Sequence, residues 1–284
     1  MLNKEDTIME YIEWIRVNPA GNITCLVTTK VARELYMEVA NQLLSLPGQD
    51  FEQVGFIIDD KTMEMAGLEF CGNASRAFAL WSAKKLGLQG QHNVFVSVSG
   101  IEKPLEVFVD TQSNFTRAFM PLPEKIELIS EGTIMACPQM LKVDLGGIMH
   151  FVVLDLPYSD SIFHLIKDFG MSHFQPPALG VMFVDSGTFN MVPIVYVKEV
   201  DTIYHEGSCG SGTLAALISL EEKLGLGEEV FHCNLTQPRG EIGGTLYKNG
   251  NIIEKITIEG HVEIGEIEKL VVRDFMGSQE EEDE

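Results

Sequence analysis

Two short stretches of the sequence carry residues that could do chemistry together: EFCGNASR, from Glu69 to Arg76, and GSCGSGT, from Gly207 to Thr213. Each sets a cysteine and a glycine directly before an apolar stretch with helical spacing. A thiol at a helix start meets unpaired N–H groups and the positive end of the helix dipole. Both favour the thiolate, and cysteines so placed have pKa values of about 3.5 to 7.5 against about 8.5 for a free one. A depressed pKa is therefore the expectation for Cys71 and Cys209. The glycines that follow, Gly72, Gly210 and Gly212, leave backbone amides uncovered and suit an anion such as a carboxylate. No lysine follows them as a phosphate loop would require. One such cysteine alone reads as a small buried hydrophobe. Two of them aimed at one cleft suit inversion at a carbon next to a carboxylate, where a base takes the proton on one face and an acid returns it on the other. The amide dipoles would stabilise the charge that develops as the carbanion forms.

The elements that must position these thiols repeat along the chain. Beyond each cysteine the register is the same: Lys85 lies 14 residues after Cys71, Lys223 lies 14 after Cys209, and each opens a Lys-Leu-Gly-Leu sequence. Both copies then reach a Val-Phe pair, Val94-Phe95 and Val230-Phe231, that begins a strand-like segment. The patterning predicts strands over 23–28, 54–58, 94–98 and 105–109, with helices over 31–44 and 72–86. In the second half it predicts strands near 151–154, 181–184 and 194–197, a helix over 210–224, then strands near 244–247, 252–259 and 269–273. The glycine of each Leu-Gly-Leu suits the left-handed conformation that closes a helix. Pro121-Leu122-Pro123 marks the expected boundary between two α+β domains, each presenting one cysteine at the start of its long helix.

Composition bounds the rest. The chain has 284 residues, 45% hydrophobic and 22% charged, enough for two domains of ordinary size. No stretch approaches the roughly 20 consecutive apolar residues needed to span a bilayer, and the first residues lack the pattern of an export signal, so a cytoplasmic protein without a membrane partner is expected. The net charge of −22 opposes binding to phosphate backbones, which argues against nucleic acid as a partner. Much of the acidity at the C-terminus lies in Glu280 to Glu284, and residues 277–284 are expected to form a disordered tail. Five cysteines, an odd number without a CxxC pair, suggest free thiols rather than disulfides or a zinc site.

The two cysteine motifs resemble the signature of the diaminopimelate epimerase superfamily of cofactor-independent amino-acid racemases and epimerases. Within it, NPAGN, EQVGFI, EFCGNA and SCGSGT look most like the histidine racemases of staphylopine-type metallophore pathways. The resemblance implies two pseudo-symmetric domains, each a sheet or barrel wrapped around a long central helix, with the active site in the cleft between them. It places the first domain at 1–122, completed by a C-terminal strand near 265–275, and the second at 123–264. It implies an isomerase that needs no cofactor or metal, takes a small amino acid, and forms a homodimer. By this resemblance Cys71 and Cys209 are the acid–base pair, with His150 and Glu206 beside them. Gly72, Asn73, Gly210 and Ser211 would hold the substrate α-carboxylate, and Asn22 would lie near the substrate.

The departures from the epimerase pattern concern the substrate's far end. Ile148 replaces one asparagine of the family, MEMAGLE before Cys71 contains none, and Gly180 to Phe183 lacks another. A second carboxylate would then enter an apolar, unsatisfied environment. Diaminopimelate is thereby disfavoured, whereas Glu52, next to Gln53, could meet an imidazole or amino group. The expected activity is interconversion of L- and D-histidine. The alternatives are a diaminopimelate epimerase or racemase of another amino acid, a non-catalytic amino-acid binder, and a redox or metal-binding thiol pair.

Overall fold

The computed structural model describes residues 11–271 except Met135, Ala136, Pro138 and Leu226. The tail at 277–284 and the end of the strand expected at 269–273 lie outside the described residues. In chain order the elements are β1 (Tyr11–Asn18), β2 (Thr24–Val27), α1 (Tyr36–Leu44), β3 (Gln53–Asp59), β4 (Thr62–Met65), α2 (Gly72–Lys85), β5 (Gln91–Val98), β6 (Leu105–Asp110) and β7 (Phe115–Met120). The second half continues with β8 (Lys125–Ile129), β9 (Met140–Asp144), β10 (Met149–Leu154), α3 (Asp160–His173), β11 (Ala178–Val184), β12 (Met191–Val197) and β13 (Thr202–His205). It ends with α4 (Gly210–Leu224), β14 (Val230–Gln237), β15 (Gly240–Asn249), β16 (Ile252–His261) and β17 (Glu263–Val271).

The strands form two sheets: one of eleven in the order β14-β15-β16-β7-β6-β5-β4-β3-β2-β1-β17, and one of six in the order β13-β12-β11-β10-β9-β8. Three strand pairs are parallel, β2 with β3, β4 with β5 and β10 with β11. A parallel pair cannot be closed by a tight turn, and the crossovers here are α1, α2 and α3 respectively. The chain leaves the large sheet after β7, crosses the Pro121–Pro123 segment into the small sheet, and returns through α4 to β14. Strand β16 pairs antiparallel with β7, and β17 with β1, so the large sheet draws strands from both ends of the sequence.

The helices differ in how much of their surface they bury. α2 buries almost every residue from Gly72 to Ala83, and α4 does so from Gly210 to Glu221, apart from Ser211. Helices buried all round belong at the centre of a fold, and one apolar core joins Ala77, Phe78 and Leu80 of α2 to Leu214, Leu217 and Leu220 of α4. By contrast, α1 and α3 each bury one face, in two smaller cores. The helix expected over 31–44 begins later, because Arg33–Leu35 forms a single 3₁₀ turn before α1. Gly87 and Gly225 take positive φ values of 73° and 59° behind the two long helices, the conformation expected of them from the sequence.

Phe78 is fully buried at the middle of α2. Truncation to alanine should destabilise the protein by about 3–5 kcal/mol, because both the transferred surface and the residual cavity count against the fold. Denaturant titration of Phe78→Ala against Phe78→Leu checks this, with the leucine variant expected to lose much less.

Candidate active site

Cys71 and Cys209 are the N-cap residues of α2 and α4, with nearly identical backbone angles of −126°, 110° and −125°, 114°. The local hydrogen bonds repeat as well. Cys71 Sγ accepts from Ala74 N at 3.4 Å and Cys209 Sγ from Gly212 N at 3.3 Å. Four residues on, the Ser75 and Thr213 hydroxyls each donate to the carbonyl of their own cysteine at 2.7 Å. A thiol thus does what a serine or aspartate cap normally does. It satisfies one amide of the first turn and leaves the first two, at Gly72 and Asn73 or at Gly210 and Ser211, without an intrahelical acceptor.

The two helix starts meet. A methyl group placed on Gly72 would stand 2.9 Å from Ile258 Cδ1 and 2.7 Å from Met120 Sδ, and one on Gly210 would also stand 2.9 Å from Ile258 Cδ1. The same methyl on Gly210 would lie 3.5 Å from the Asn73 side chain. A side chain at either position would make Met120 or Ile258 shift to keep this close approach.

A polar chain surrounds Cys71. The Gln53 amide lies beside the Cys71 sulfur and donates to Asn22 Oδ1 at 2.6 Å and Thr24 Oγ1 at 2.8 Å. Asn22 Nδ2 donates to Glu52 Oε2 at 2.8 Å. The other Glu52 oxygen accepts from Gly207 N at 3.3 Å and Arg239 Nη1 at 3.2 Å. Asn22, Glu52 and Gln53 therefore tie the first cysteine to the loop that precedes the second. Asn73, the second residue of α2, is buried and turns its side-chain oxygen to Arg76 Nε at 3.2 Å.

Around Cys209 the partners differ. Its N–H donates to Gln237 Oε1 at 2.7 Å, and Gln237 Nε2 donates to Thr213 Oγ1 at 2.9 Å. Its sulfur lies 3.6 Å from Ser211 Oγ, and Ser211 Oγ lies 2.9 Å from His150 Nε2. His150 is wholly buried on β10, with Nδ1 unpartnered among the described residues. Burial lowers its pKa to about 3, so the imidazole is neutral. The Glu206 carboxyl stands against the Cys209 thiol with one oxygen buried and unpartnered among the described residues, and burial raises its pKa to about 7.

The depressed thiol pKa values expected from the helix starts do not hold in the folded protein. Burial pushes Cys71 up to about 11 and Cys209 well above its ordinary value. The amides of Ala74 and Gly212 pull the other way, but the desolvation of an anion among protein atoms outweighs them. Glu206 adds to the rise at both sulfurs by repulsion, and so does Glu69 at Cys71. Burial also raises Glu52, against the opposing pull of Asn22, Arg239 and Gly207.

All eleven residues singled out in the sequence stand in this one constellation. Arg76, Gln237 and Arg239 were not singled out. Gln237 ends β14 and Arg239 lies in the turn to β15, far in sequence from either cysteine, and no local pattern marks them. Arg76 could have been noticed as a charged residue on an otherwise apolar helix. Among the described residues no helix is long and apolar enough to cross a membrane, and no group of three or more His, Cys, Asp or Glu side chains is placed to hold a metal ion.

Comparison with known proteins identifies the family. The family model of the histidine racemase CntK N-terminal domain matches residues 11–267. A histidine racemase of Fusobacterium nucleatum is 32% identical over 273 residues, covering 92% of this chain and 99% of its own. A histidine racemase of Staphylococcus aureus is 26% identical over 264 residues, covering 89% and 95%. Among solved structures, a predicted epimerase from Pseudomonas aeruginosa superposes with a TM-score of 0.66 at 10% identity, over 92% of this chain and 99% of that one. A hydroxyproline epimerase from Agrobacterium vitis, with trans-4-hydroxy-L-proline bound, gives 0.61 at 10% identity over 95% of each. These structural likenesses are of fold, an α+β architecture shared with racemases and epimerases. With its family model matched from β1 to β17, the chain belongs to the histidine racemase family and is an isomerase.

Proposed function

We propose that this protein interconverts L- and D-histidine by proton transfer between the α-carbon and two thiols, Cys71 and Cys209, without a cofactor. The observation that carries the reading is the matched pair of thiol-capped helix starts converging on Ile258. The histidine racemases among its relatives supply the substrate.

In this mechanism the substrate carboxylate lies across the open amides of Gly72, Asn73, Gly210 and Ser211. Those dipoles take up the negative charge as the α-proton leaves, and removal of one such donor typically costs about 100 to 1,000-fold in rate. One thiolate removes the proton from one face, and the thiol opposite delivers its own proton to the other face, so the configuration inverts and proton number is conserved. His150, acting through the Ser211 hydroxyl, and Glu206 serve Cys209. Asn22 and Gln53 hold the other side of the pocket, and Glu52 meets the cationic or imidazole end of the substrate. Two buried thiols of high pKa are compatible with this chemistry, because a bound zwitterion brings its ammonium group and displaces water beside them.

The same reading takes 1–122 and 123–264 as two domains with the site between them, β17 completing the first. It takes the protein to be a cytoplasmic homodimer with no nucleic-acid or membrane partner.

Incubation with L-histidine in heavy water should give D-histidine carrying deuterium at the α-carbon. Absence of label in histidine overturns the proposal, and label in diaminopimelate or another amino acid in its place overturns the substrate. Cys71→Ala and Cys209→Ala should each reduce inversion by at least about 100-fold, the lower end of what a positioned acid or base contributes; chiral chromatography of the product measures it. The rate should rise with pH from about 7 into the alkaline range, because the base must lose its proton. Glu206→Gln removes a negative charge beside both sulfurs, which makes thiolate formation easier. The alkaline limb of kcat/KM should therefore move to lower pH, by roughly one unit for a close charge.

A further inference from the structure

The two thiols match in backbone geometry but not in what lies beneath them. Five residues after Cys71 comes Arg76, and five after Cys209 comes Leu214. Arg76 has no solvent exposure. Its Nε donates to Asn73 Oδ1 at 3.2 Å, and its Nη1 to Thr116 Oγ1 at 3.3 Å and to Gly260 O at 3.1 Å. Nη2 has no partner among the described residues. All of these acceptors are neutral. The nearby carboxylate, Glu259 on β16, is engaged by Arg117 from β7. A buried cation held only by neutral groups is costly. It is compensated if an anion forms close by during the working cycle, and the Cys71 thiolate, on the same helix less than two turns away, is such an anion.

We propose that Arg76 is a positioning residue whose fixed positive charge makes Cys71, rather than Cys209, the thiol that is ionised in the substrate-free enzyme. The inference rests on the two-thiol reading above and deepens it. The charged groups that face the pair are few. Glu69 and Glu206 oppose ionisation of Cys71, while the Gln53 amide and Ala74 N–H favour it. Strands β5 and β6 contribute apolar Val96, Val98, Val107 and Val109 to the core around α2. Burial lowers the Arg76 guanidinium to about 10, and attraction from Cys71 and Glu259 opposes that fall, so it remains charged at neutral pH. Among the described residues Cys209 has no cation of this kind beneath it and stands against Glu206 instead. The consequence is an inequality between the two forms of the enzyme. After one inversion the proton taken from the substrate sits on Cys71 and the negative charge on Cys209. That form lacks the stabilisation Arg76 gives and returns its proton to Cys209 before the next turnover in the same direction.

Alkylation by iodoacetamide without substrate tests this, because only thiolates react and turnover is not involved. The rate at each cysteine is followed against pH by peptide mass spectrometry, and the midpoint of each profile, rather than the absolute rate, is compared. In the wild type the Cys71 midpoint should lie below that of Cys209; equal or reversed midpoints overturn the proposal even if no variant folds. Arg76→Gln retains hydrogen-bonding capacity but not charge, and should raise the Cys71 midpoint by about one unit, a tenfold loss of thiolate, leaving Cys209 unmoved. Arg76→Lys keeps the charge and should restore the wild-type profile. An unchanged Cys71 midpoint in Arg76→Gln, or equal shifts in the two variants, assigns Arg76 a structural role alone and overturns the inference. Loss of racemisation with the midpoints still ordered as expected would instead count against the racemase reading.

Discussion

The structure turns on the unsatisfied amides at the starts of two buried helices. A helix beginning at the protein surface can leave its first N–H groups to water; α2 and α4 begin at the centre of the molecule, where each orphaned donor is costly. A cysteine cap satisfies one of them with a soft, weak acceptor. Two more at each helix remain open, and their most natural occupant is a carboxylate. An anion would satisfy the amides that the cysteine caps leave open.

This placement sets two electrostatic effects in opposition. The helix ends favour thiolates, while the burial that makes the amides effective disfavours any charge. Burial wins at both sulfurs. The acidic surface does not decide the matter, because the local groups act from within bonding distance: Gln53 and Ala74 at one sulfur, Ser211, Gly212 and Glu206 at the other. The backbone of the two caps is the same to within a few degrees, so any difference between the thiols comes from these side chains and from Arg76.

Most of the central architecture was legible in the sequence because it is repeated there. The shared register from Cys71 and Cys209 to Lys-Leu-Gly-Leu located both long helices, and the glycine caps followed. Helix α3 was missed, although Ile162, Phe163, Ile166 and Phe169 carry its period and the repeat itself calls for it: α1 joins a parallel pair in the first half, and α3 joins one in the second. Strands β1, β4, β7, β8, β9 and β13 were missed as well, most of them short. The site residues close to the two cysteine motifs could be read from the sequence. Gln237 and Arg239 could not, since their place depends on a hairpin pairing that no local pattern encodes. The thiol pKa values were misjudged for a related reason: a helix start is visible in sequence, but its burial on all sides is a property of the fold.

The pairing of β7 with β16 has a further meaning. These are equivalent strands of the two halves, each the third strand after its cysteine-capped helix, and they run antiparallel side by side from Met120 opposite Ile256 to Phe115 opposite His261. Identical strands paired in this way are what a two-fold symmetric dimer of half-length chains would produce. In a lone half, β7 would be an open sheet edge, prone to pair with whatever strand it met. In the folded chain each of these two strands covers the edge that the other would expose, so backbone hydrogen bonds seal the seam between the halves.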